Sequence, residues 1–220
     1  MTRSRYRHVI FDFDGVICDS FDSAVCAYTR LRSCEFPRLP PIACHGDMNV
    51  VYQGSLRTCL HRWLTDEEAR RFFDRHSAAM RAEAAVLKLF AGIPSLLISL
   101  GEARASIVTS AYSASVRSVL EADSELNHYR LHAIKGRELR MTKTEKIRAV
   151  VSSLQLHSDQ VVYVGDLESD IIYCRDVPID IIAVGYGYQT SSYLQTKGGT
   201  YFAESVEDLR GLLSELCGLH

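Results

Sequence analysis

The chain has 220 residues, which is enough for one large domain or for one domain with an insertion. Hydrophobic residues make up 47% of it and charged residues 24%, the composition of an ordinary globular protein with a sizeable core. The formal net charge of −2 gives no reason to expect a nucleic-acid partner, and no apolar stretch is long enough to span a bilayer.

The seven cysteines are scattered without a C-x-x-C pair, which argues against a disulfide framework and against a zinc ribbon. The apolar run behind the basic segment 2–7 is short and contains two acids, so we expect no secretory signal. We therefore expect a cytoplasmic protein whose cysteines lie in a reducing compartment.

The first predicted element is a buried strand that starts at His8 and runs into two aspartates, Asp12 and Asp14. Side chains at i and i+2 project to the same side of a strand. Two carboxylates in apolar surroundings repel each other and lose hydration, so a hard cation with oxygen ligands, such as Mg²⁺, is the expected partner. Gly15 then permits a sharp turn of the backbone. For an isolated Asp-x-Asp pair, a solvated strand end would be a better interpretation than a cation site. The motifs in the rest of the chain favour the cation site.

The segment from Asp19 to about Leu87 predicts helices and no strand. One helix is predicted from Phe21 to about Leu31, and another from about residue 49 to about residue 60. A third, to about residue 83, begins at the capping box 65–68. We expect this insert to be an all-helical cap domain over residues 18–87, with residues 1–17 and 88–220 forming an α/β core domain.

The rest of the chain alternates between predicted strands and helices. Strands are expected at 105–110, 131–134, 160–166, 179–184 and 201–203, and helices at 95–102, 114–121, 142–154, 169–175 and 206–216. This alternation predicts a doubly wound parallel sheet with helices on both faces.

Polar side chains follow several of these strands or open the helices between them, where ligands bind in such sheets. They are Asp12, Asp14, Thr109, Ser110, Lys143, Asp166 and Asp170. A carboxylate can attack phosphorus to give an aspartyl-phosphate, a second acid can move the proton, and a lysine and hydroxyls can hold phosphoryl oxygens. These residue types together indicate phosphoryl-transfer chemistry.

Three motifs carry a resemblance to a known family. They are D-F-D-G-V from Asp12, the strand I-V-T-S that ends at Ser110, and G-D-L-E-S-D from Gly165. The chain resembles haloacid-dehalogenase superfamily hydrolases with a small helical C1-type cap and a Rossmann-like core, and is most similar to phosphoglycolate-phosphatase-like members. The resemblance covers nearly the whole chain.

The resemblance implies a Mg²⁺-dependent phosphatase that hydrolyses a small-molecule phosphate monoester. It implies that Asp12 is the nucleophile and Asp14 the general acid/base. Mg²⁺ would be bound by Asp12, the backbone carbonyl of Asp14 and Asp166, with Asp170 supporting it directly or through water. Thr109 and Ser110 would hold the phosphoryl group.

The lysine motif is the least distinct. In the family this lysine is often followed by proline, whereas here Lys143 is followed by Thr144. A second lysine, Lys146, stands three residues further on. We prefer Lys143 as the phosphate-binding lysine because it opens the predicted helix near the strand ends. Lys146 is then expected to be a solvated helix charge.

The cap is expected to set specificity, and its candidate residues are His45, Asp47, Tyr52, Gln53 and Arg57, each of which is by itself better explained as solvated surface. The expected partner is a small phosphorylated metabolite, with no nucleic acid and no membrane. The sequence does not distinguish a monomer from a homodimer.

Two alternatives stay open at this point: a phosphomutase of the β-phosphoglucomutase type, and a non-catalytic binding or regulatory protein. A dehalogenase and a phosphonate hydrolase are disfavoured, because their families lack an acid at the position of Asp14.

Overall fold

The computed structural model describes residues 5–55, 58–83 and 86–218. Within these ranges the strands are β1 His8–Phe11, β2 Cys18–Asp19, β3 Lys88–Leu89, β4 Ala105–Val108, β5 Ala133–Lys135, β6 Val161–Gly165, β7 Asp180–Val184 and β8 Tyr201–Ala203. The helices are α1 Phe21–Cys34, α2 His45–Val51, α3 Asp66–Glu83, α4 Ile93–Leu100, α5 Ser113–Glu121, α6 Lys143–Leu154, α7 Glu168–Asp176, α8 Ser191–Gln195 and α9 Val206–Cys217.

Six strands form one parallel sheet in the order β5-β4-β1-β6-β7-β8. Strand β1 is central: Val9 lies opposite Ala105 of β4 and Val162 of β6. All residues of β1, β4 and β6 are buried, as expected for strands covered by helices on both faces. The predicted doubly wound sheet is confirmed.

Helices α1 to α3 pack around an apolar cluster of their own. The Phe72 ring lies at its centre, with edge-to-face contacts to Tyr28 and Phe36 at centroid distances of 5.6 and 5.5 Å. Leu167 and Tyr188, which follow β6 and β7, join this cluster from the sheet side. The insert is therefore helical and packs directly on the loops at the carboxyl ends of the strands.

The chain enters and leaves this insert through the short antiparallel pair β2–β3, in which Cys18 lies opposite Leu89 and Asp19 opposite Lys88. The sequence pattern did not predict this pair, since two residues per strand are too few to show alternation. It lies at the predicted limits of the cap. The domain boundaries at 17/18 and 87/88 stay a prediction.

Helix α3 begins where its capping box predicts. The Glu68 amide donates to the Thr65 hydroxyl at 3.3 Å, and the Thr65 amide donates to the Glu68 carboxylate at 2.8 Å. The prediction of a helix to about residue 60 was wrong, because α2 ends at Val51 and the chain turns through Gly54 at φ +82°.

Across the described ranges, no helix combines the length and the apolar character needed to cross a membrane. All seven cysteines are free.

Candidate active site

Three buried carboxylates meet at the carboxyl edge of the sheet. Asp12 directly follows β1, Asp166 directly follows β6, and Asp170 lies in the first turn of α7. One oxygen from each of the three lies within 4.8 Å of the others. The parallel pairing of β1 and β6 produces this convergence, and the Asp12 amide donates to the Val164 carbonyl at 2.9 Å.

Lys143, at the start of α6, provides the positive charge among these acids. Its Nζ lies 2.5 Å from Asp12 Oδ2 and 2.7 Å from Asp170 Oδ1. Burial alone lowers the pKa of the Lys143 ammonium, but Asp12 and Asp170 outweigh burial and hold that pKa well above its usual value. With all four groups ionised, three carboxylates and one ammonium leave a net charge of −2 in a buried site.

Asp166 has an oxygen that the described residues leave unsatisfied. Its Oδ2 accepts a hydrogen bond from the Tyr188 amide at 2.7 Å, but its buried Oδ1 has no partner. Burial, followed by the charges of Asp170 and Asp12, raises the pKa of Asp166 well above its usual value. Three acids around one lysine, an unsatisfied carboxylate oxygen and an all-oxygen donor set fit a hard divalent cation such as Mg²⁺.

Two glycines allow the backbone to approach Asp166 closely. Gly15 has φ +75°, and a Cβ atom there would overlap Asp166 Oδ2. A Cβ atom at Gly187 would overlap both the Asp166 side chain and the Gly15 carbonyl. The turn after β7 thus packs against the acidic cluster. The sequence predicted only a turn here and did not indicate this contact.

Asp14 lines the cavity over this site but does not belong to the three-carboxylate cluster. Burial raises its pKa and outweighs the opposing effects of a hydrogen bond with Ser20 and of the Lys143 charge. A raised pKa favours a carboxylic acid that can donate a proton near neutral pH. The side chain is thus suited to proton transfer. Burial also raises the pKa of the neighbouring Asp12, to about 7, and outweighs the opposing charge of Lys143.

Thr109 and Ser110 follow β4, and both line the same cavity. Thr109 is buried, and its Oγ1 accepts from the Ala111 amide at 2.9 Å. The prediction that Lys146 is a solvated charge was wrong: it is buried, and its Nζ donates to the Thr109 carbonyl at 2.8 Å. Positions i and i+3 share one helix face, so both lysines of α6 reach the sheet edge.

A cavity of about 310 Å³ lies between these residues and the helical insert. Tyr52 is buried and lines it, so the solvated surface position favoured for this residue was wrong. His45 instead stacks on Phe21 at a centroid distance of 3.8 Å, and Asp47 accepts the Ala43 and Cys44 amides at the start of α2. Gln53 is exposed and does not line the cavity, and Arg57 lies outside the described residues.

The opposite wall of the cavity comes from one face of α3, which the sequence interpretation missed. The residues are Phe73, His76, Ser77, Met80 and Arg81. Their spacing of i, i+3, i+4, i+7 and i+8 marks a single helix face. That spacing was visible in the sequence, but it does not tell whether the face packs on a core or borders a cavity.

A doubly wound sheet with two acids after its central strand, two more around the next strand end and a helical insert over them defines the class of haloacid dehalogenase-like enzymes. The chain belongs to the haloacid dehalogenase-like hydrolase family, whose model matches residues 9–184. The resemblance inferred from the motifs is thereby confirmed.

Two relatives align over nearly the whole chain. A phosphoglycolate phosphatase of Synechococcus elongatus is 25% identical over 211 residues, covering 94% of this chain and 97% of that protein. A 5′-nucleotidase of Pseudomonas aeruginosa is 27% identical over 221 residues, covering 95% and 96%. The crystal structure of a predicted phosphatase from Clostridium acetobutylicum superimposes with a TM-score of 0.76 at 25% identity, covering 97% of this chain and all of that one.

Proposed function

We propose that this protein is a Mg²⁺-dependent phosphatase that hydrolyses a small phosphate monoester through an aspartyl-phosphate on Asp12. The reaction class, hydrolysis of a phosphoric monoester, is supported by membership of the hydrolase family and by relatives named as a phosphatase and a nucleotidase. The metal dependence and the covalent intermediate are mechanistic details that we propose from the geometry of the site.

The observation that carries the proposal is the buried cluster of Asp12, Asp166 and Asp170 around Lys143, with Asp166 Oδ1 unsatisfied among the described residues. Three buried acids held by one lysine are costly without a further cation. Asp12, Asp166 and Asp170, with the backbone carbonyl of Asp14, would hold Mg²⁺. When bound, the ion would neutralise phosphoryl charge and orient the phosphate for attack.

In the first half-reaction, a carboxylate oxygen of Asp12 attacks phosphorus, and the bond from phosphorus to the ester oxygen breaks. Asp12 Oδ1 accepts the Phe13 amide at 2.7 Å and Oδ2 faces Lys143, so the carboxylate is held in a fixed orientation. Asp14 gives its proton to the departing alkoxide. Lys143, with Thr109 and the Ser110 backbone, would bind the phosphoryl oxygens in this step.

In the second half-reaction, the now ionised Asp14 takes a proton from a water molecule as that water attacks phosphorus. The bond between phosphorus and Asp12 breaks, inorganic phosphate leaves, and both carboxyl groups return to their starting states. The helical insert covers the cavity, which limits water at the first step and must loosen to admit it at the second.

The test is phosphate release by purified protein with Mg²⁺ from a panel of phosphoglycolate, sugar phosphates and nucleotides. Asp12→Asn is expected to lower kcat by a factor on the order of 10³ or more, because it removes the nucleophile. Asp19→Asn, an exposed change of the same kind on β2, is the matched control and should keep the rate. Phosphate release at the wild-type rate by a folded Asp12→Asn protein would contradict the proposal.

A phosphomutase stays the second candidate, because it would use the same two acids, Asp12 and Asp14. Its distinguishing result is an isomerised sugar phosphate without net phosphate release. The panel above separates the two when sugar phosphates are also analysed for isomers.

A further inference from the structure

The cavity above the acidic cluster has a polar floor and mostly apolar walls. Phe73 and Met80 of α3 form one wall, and Tyr52 and Leu87 lie among the other lining residues, together with Tyr112 after β4. A volume of about 310 Å³ is at the lower end of the ~300–1,000 Å³ typical of small-molecule pockets. The cavity therefore has the size of a small-molecule pocket, and it extends from the acidic floor along the α3 face.

Two arginines, Arg81 and Arg137, line the cavity beside its apolar residues. Arg137 is ion-paired with Asp74 of α3. Arg81 is exposed, with its guanidinium carbon 5.3 Å from the centre of the Tyr112 ring. A carboxylate buried beside Phe73 and Met80 would lose hydration, which is costly. An uncharged apolar group would be stabilised there instead.

Tyr52 adds one polar contact to these walls. Its side chain is 7% exposed, and its hydroxyl has no hydrogen-bond partner in the part of the chain that the structure describes. A buried phenol usually finds a partner, so this hydroxyl is available to a ligand in the cavity that it lines.

We propose that the leaving group of the substrate carries an uncharged, ring-sized apolar body, with a hydrogen-bond acceptor for the Tyr52 hydroxyl. The ring would lie along the α3 face between Phe73 and Met80. This inference rests on the proposed phosphatase function and specifies its substrate class. Both a hydrocarbon ring and a nucleobase have this shape, and the experiment distinguishes them.

The first experiment compares 3-phenylpropyl phosphate with n-propyl phosphate, two esters whose alkyl leaving groups are nearly equal in acidity and differ by the ring. We expect kcat/KM to be about tenfold or more higher with the ring, as the burial of a phenyl group implies. Adenosine 5′-monophosphate tests a nucleobase as the ring, and phosphoglycolate tests an anionic leaving group.

The second experiment alters the wall. Met80→Lys places a charge among the apolar residues and is expected to lower the phenylpropyl-to-propyl ratio of kcat/KM at least fivefold, while raising the relative rate with phosphoglycolate. Ala78→Lys adds the same charge to an exposed position of α3 outside the cavity and should leave the ratio unchanged. Tyr52→Phe should lower kcat/KM several-fold for adenosine 5′-monophosphate and little for 3-phenylpropyl phosphate, which lacks an acceptor.

Equal kcat/KM for the two alkyl esters, or a preference for phosphoglycolate over both, would overturn the ring proposal and leave the phosphatase standing. Equal effects of Tyr52→Phe on kcat/KM for both ring esters would overturn the proposal that the leaving group accepts a hydrogen bond from the Tyr52 hydroxyl. If no ester releases phosphate in an Asp12-dependent manner, the proposed function itself fails.

Discussion

Lys143 and Lys146 lie three residues apart at the start of α6, and both side chains are buried. They contact different parts of the site. Lys143 binds the carboxylates of Asp12 and Asp170, whereas Lys146 binds the backbone carbonyl of Thr109. One lysine therefore balances charge at the Asp12 carboxylate, and the other holds the end of β4, where Thr109 carries its hydroxyl.

This difference gives a prediction for two matched variants. Lys143→Met is expected to lower kcat/KM by about a hundredfold or more, because it removes the cation beside the proposed nucleophile, Asp12. It should also destabilise the metal-free protein by about 3–5 kcal/mol, as removal of one partner of a buried ion pair does. Lys146→Met loses one charge-assisted hydrogen bond, which corresponds to about 1.5–3 kcal/mol of stability.

Phosphate-release kinetics and urea unfolding of the two proteins provide the measurement. A larger loss of kcat/KM in Lys146→Met than in Lys143→Met would reverse the assignment of the phosphate-binding lysine.

At the scale of elements, the turn after β7 joins the helical insert to the sheet. Gln189 is fully buried: its Oε1 accepts the Glu168 amide at 2.6 Å, and its Nε2 donates to the Met48 and Tyr52 carbonyls at 3.4 and 3.3 Å. It thereby links the first turn of α7, which carries Asp170, to Tyr52, which directly follows α2.

Gln189→Ala is expected to raise KM and lower kcat/KM by about tenfold, because Tyr52 loses its connection to the acidic cluster while every acid stays in place. The loss of these buried hydrogen bonds should cost about 1–3 kcal/mol of stability. Gln195→Ala, at the exposed end of α8, is the matched control. An unchanged kcat/KM in a destabilised Gln189→Ala protein would mean that these contacts serve stability alone.

At the scale of the whole molecule, the folded state brings together acids that the unfolded chain keeps apart. Folding places Asp12, Asp166 and Asp170 in one buried cluster with a single close lysine. A divalent cation that binds this cluster binds the folded state and not the dispersed acids of the unfolded chain, so it should stabilise the fold by mass action.

We expect Mg²⁺ at a hundred times its dissociation constant to stabilise the protein by about 2.7 kcal/mol over the protein in chelator, seen as a rise in Tm. Asp166→Asn should abolish this rise and should be more stable than the unaltered chain in chelator, because it removes like-charge repulsion. Asp159→Asn, at the opposite end of β6 and exposed, should retain the rise. A Tm that does not respond to Mg²⁺ in the unaltered chain would count against the metal site.

Much of the fold followed from local patterns. The apolar run of β1 ends in Asp12 because a strand covered on both faces must be apolar until it leaves the sheet. The capping box at Thr65 and Glu68 places the start of α3, since its two hydrogen bonds involve residues three positions apart. In a parallel sheet the carboxyl ends of neighbouring strands share an edge, so the alternation of elements also predicted that Asp12 and Asp166 would converge.

By itself, then, the sequence determined the sheet, the helical insert and the acids at the strand ends. Only the tertiary structure decided which lysine meets those acids, because Lys143 and Asp12 are 131 positions apart and Lys146 shares the same helix face. It likewise decided that α3 borders a cavity and that Gln189 and Tyr188 support the site. Periodicity shows which face of a helix is apolar, but the partner of that face depends on how distant segments pack together.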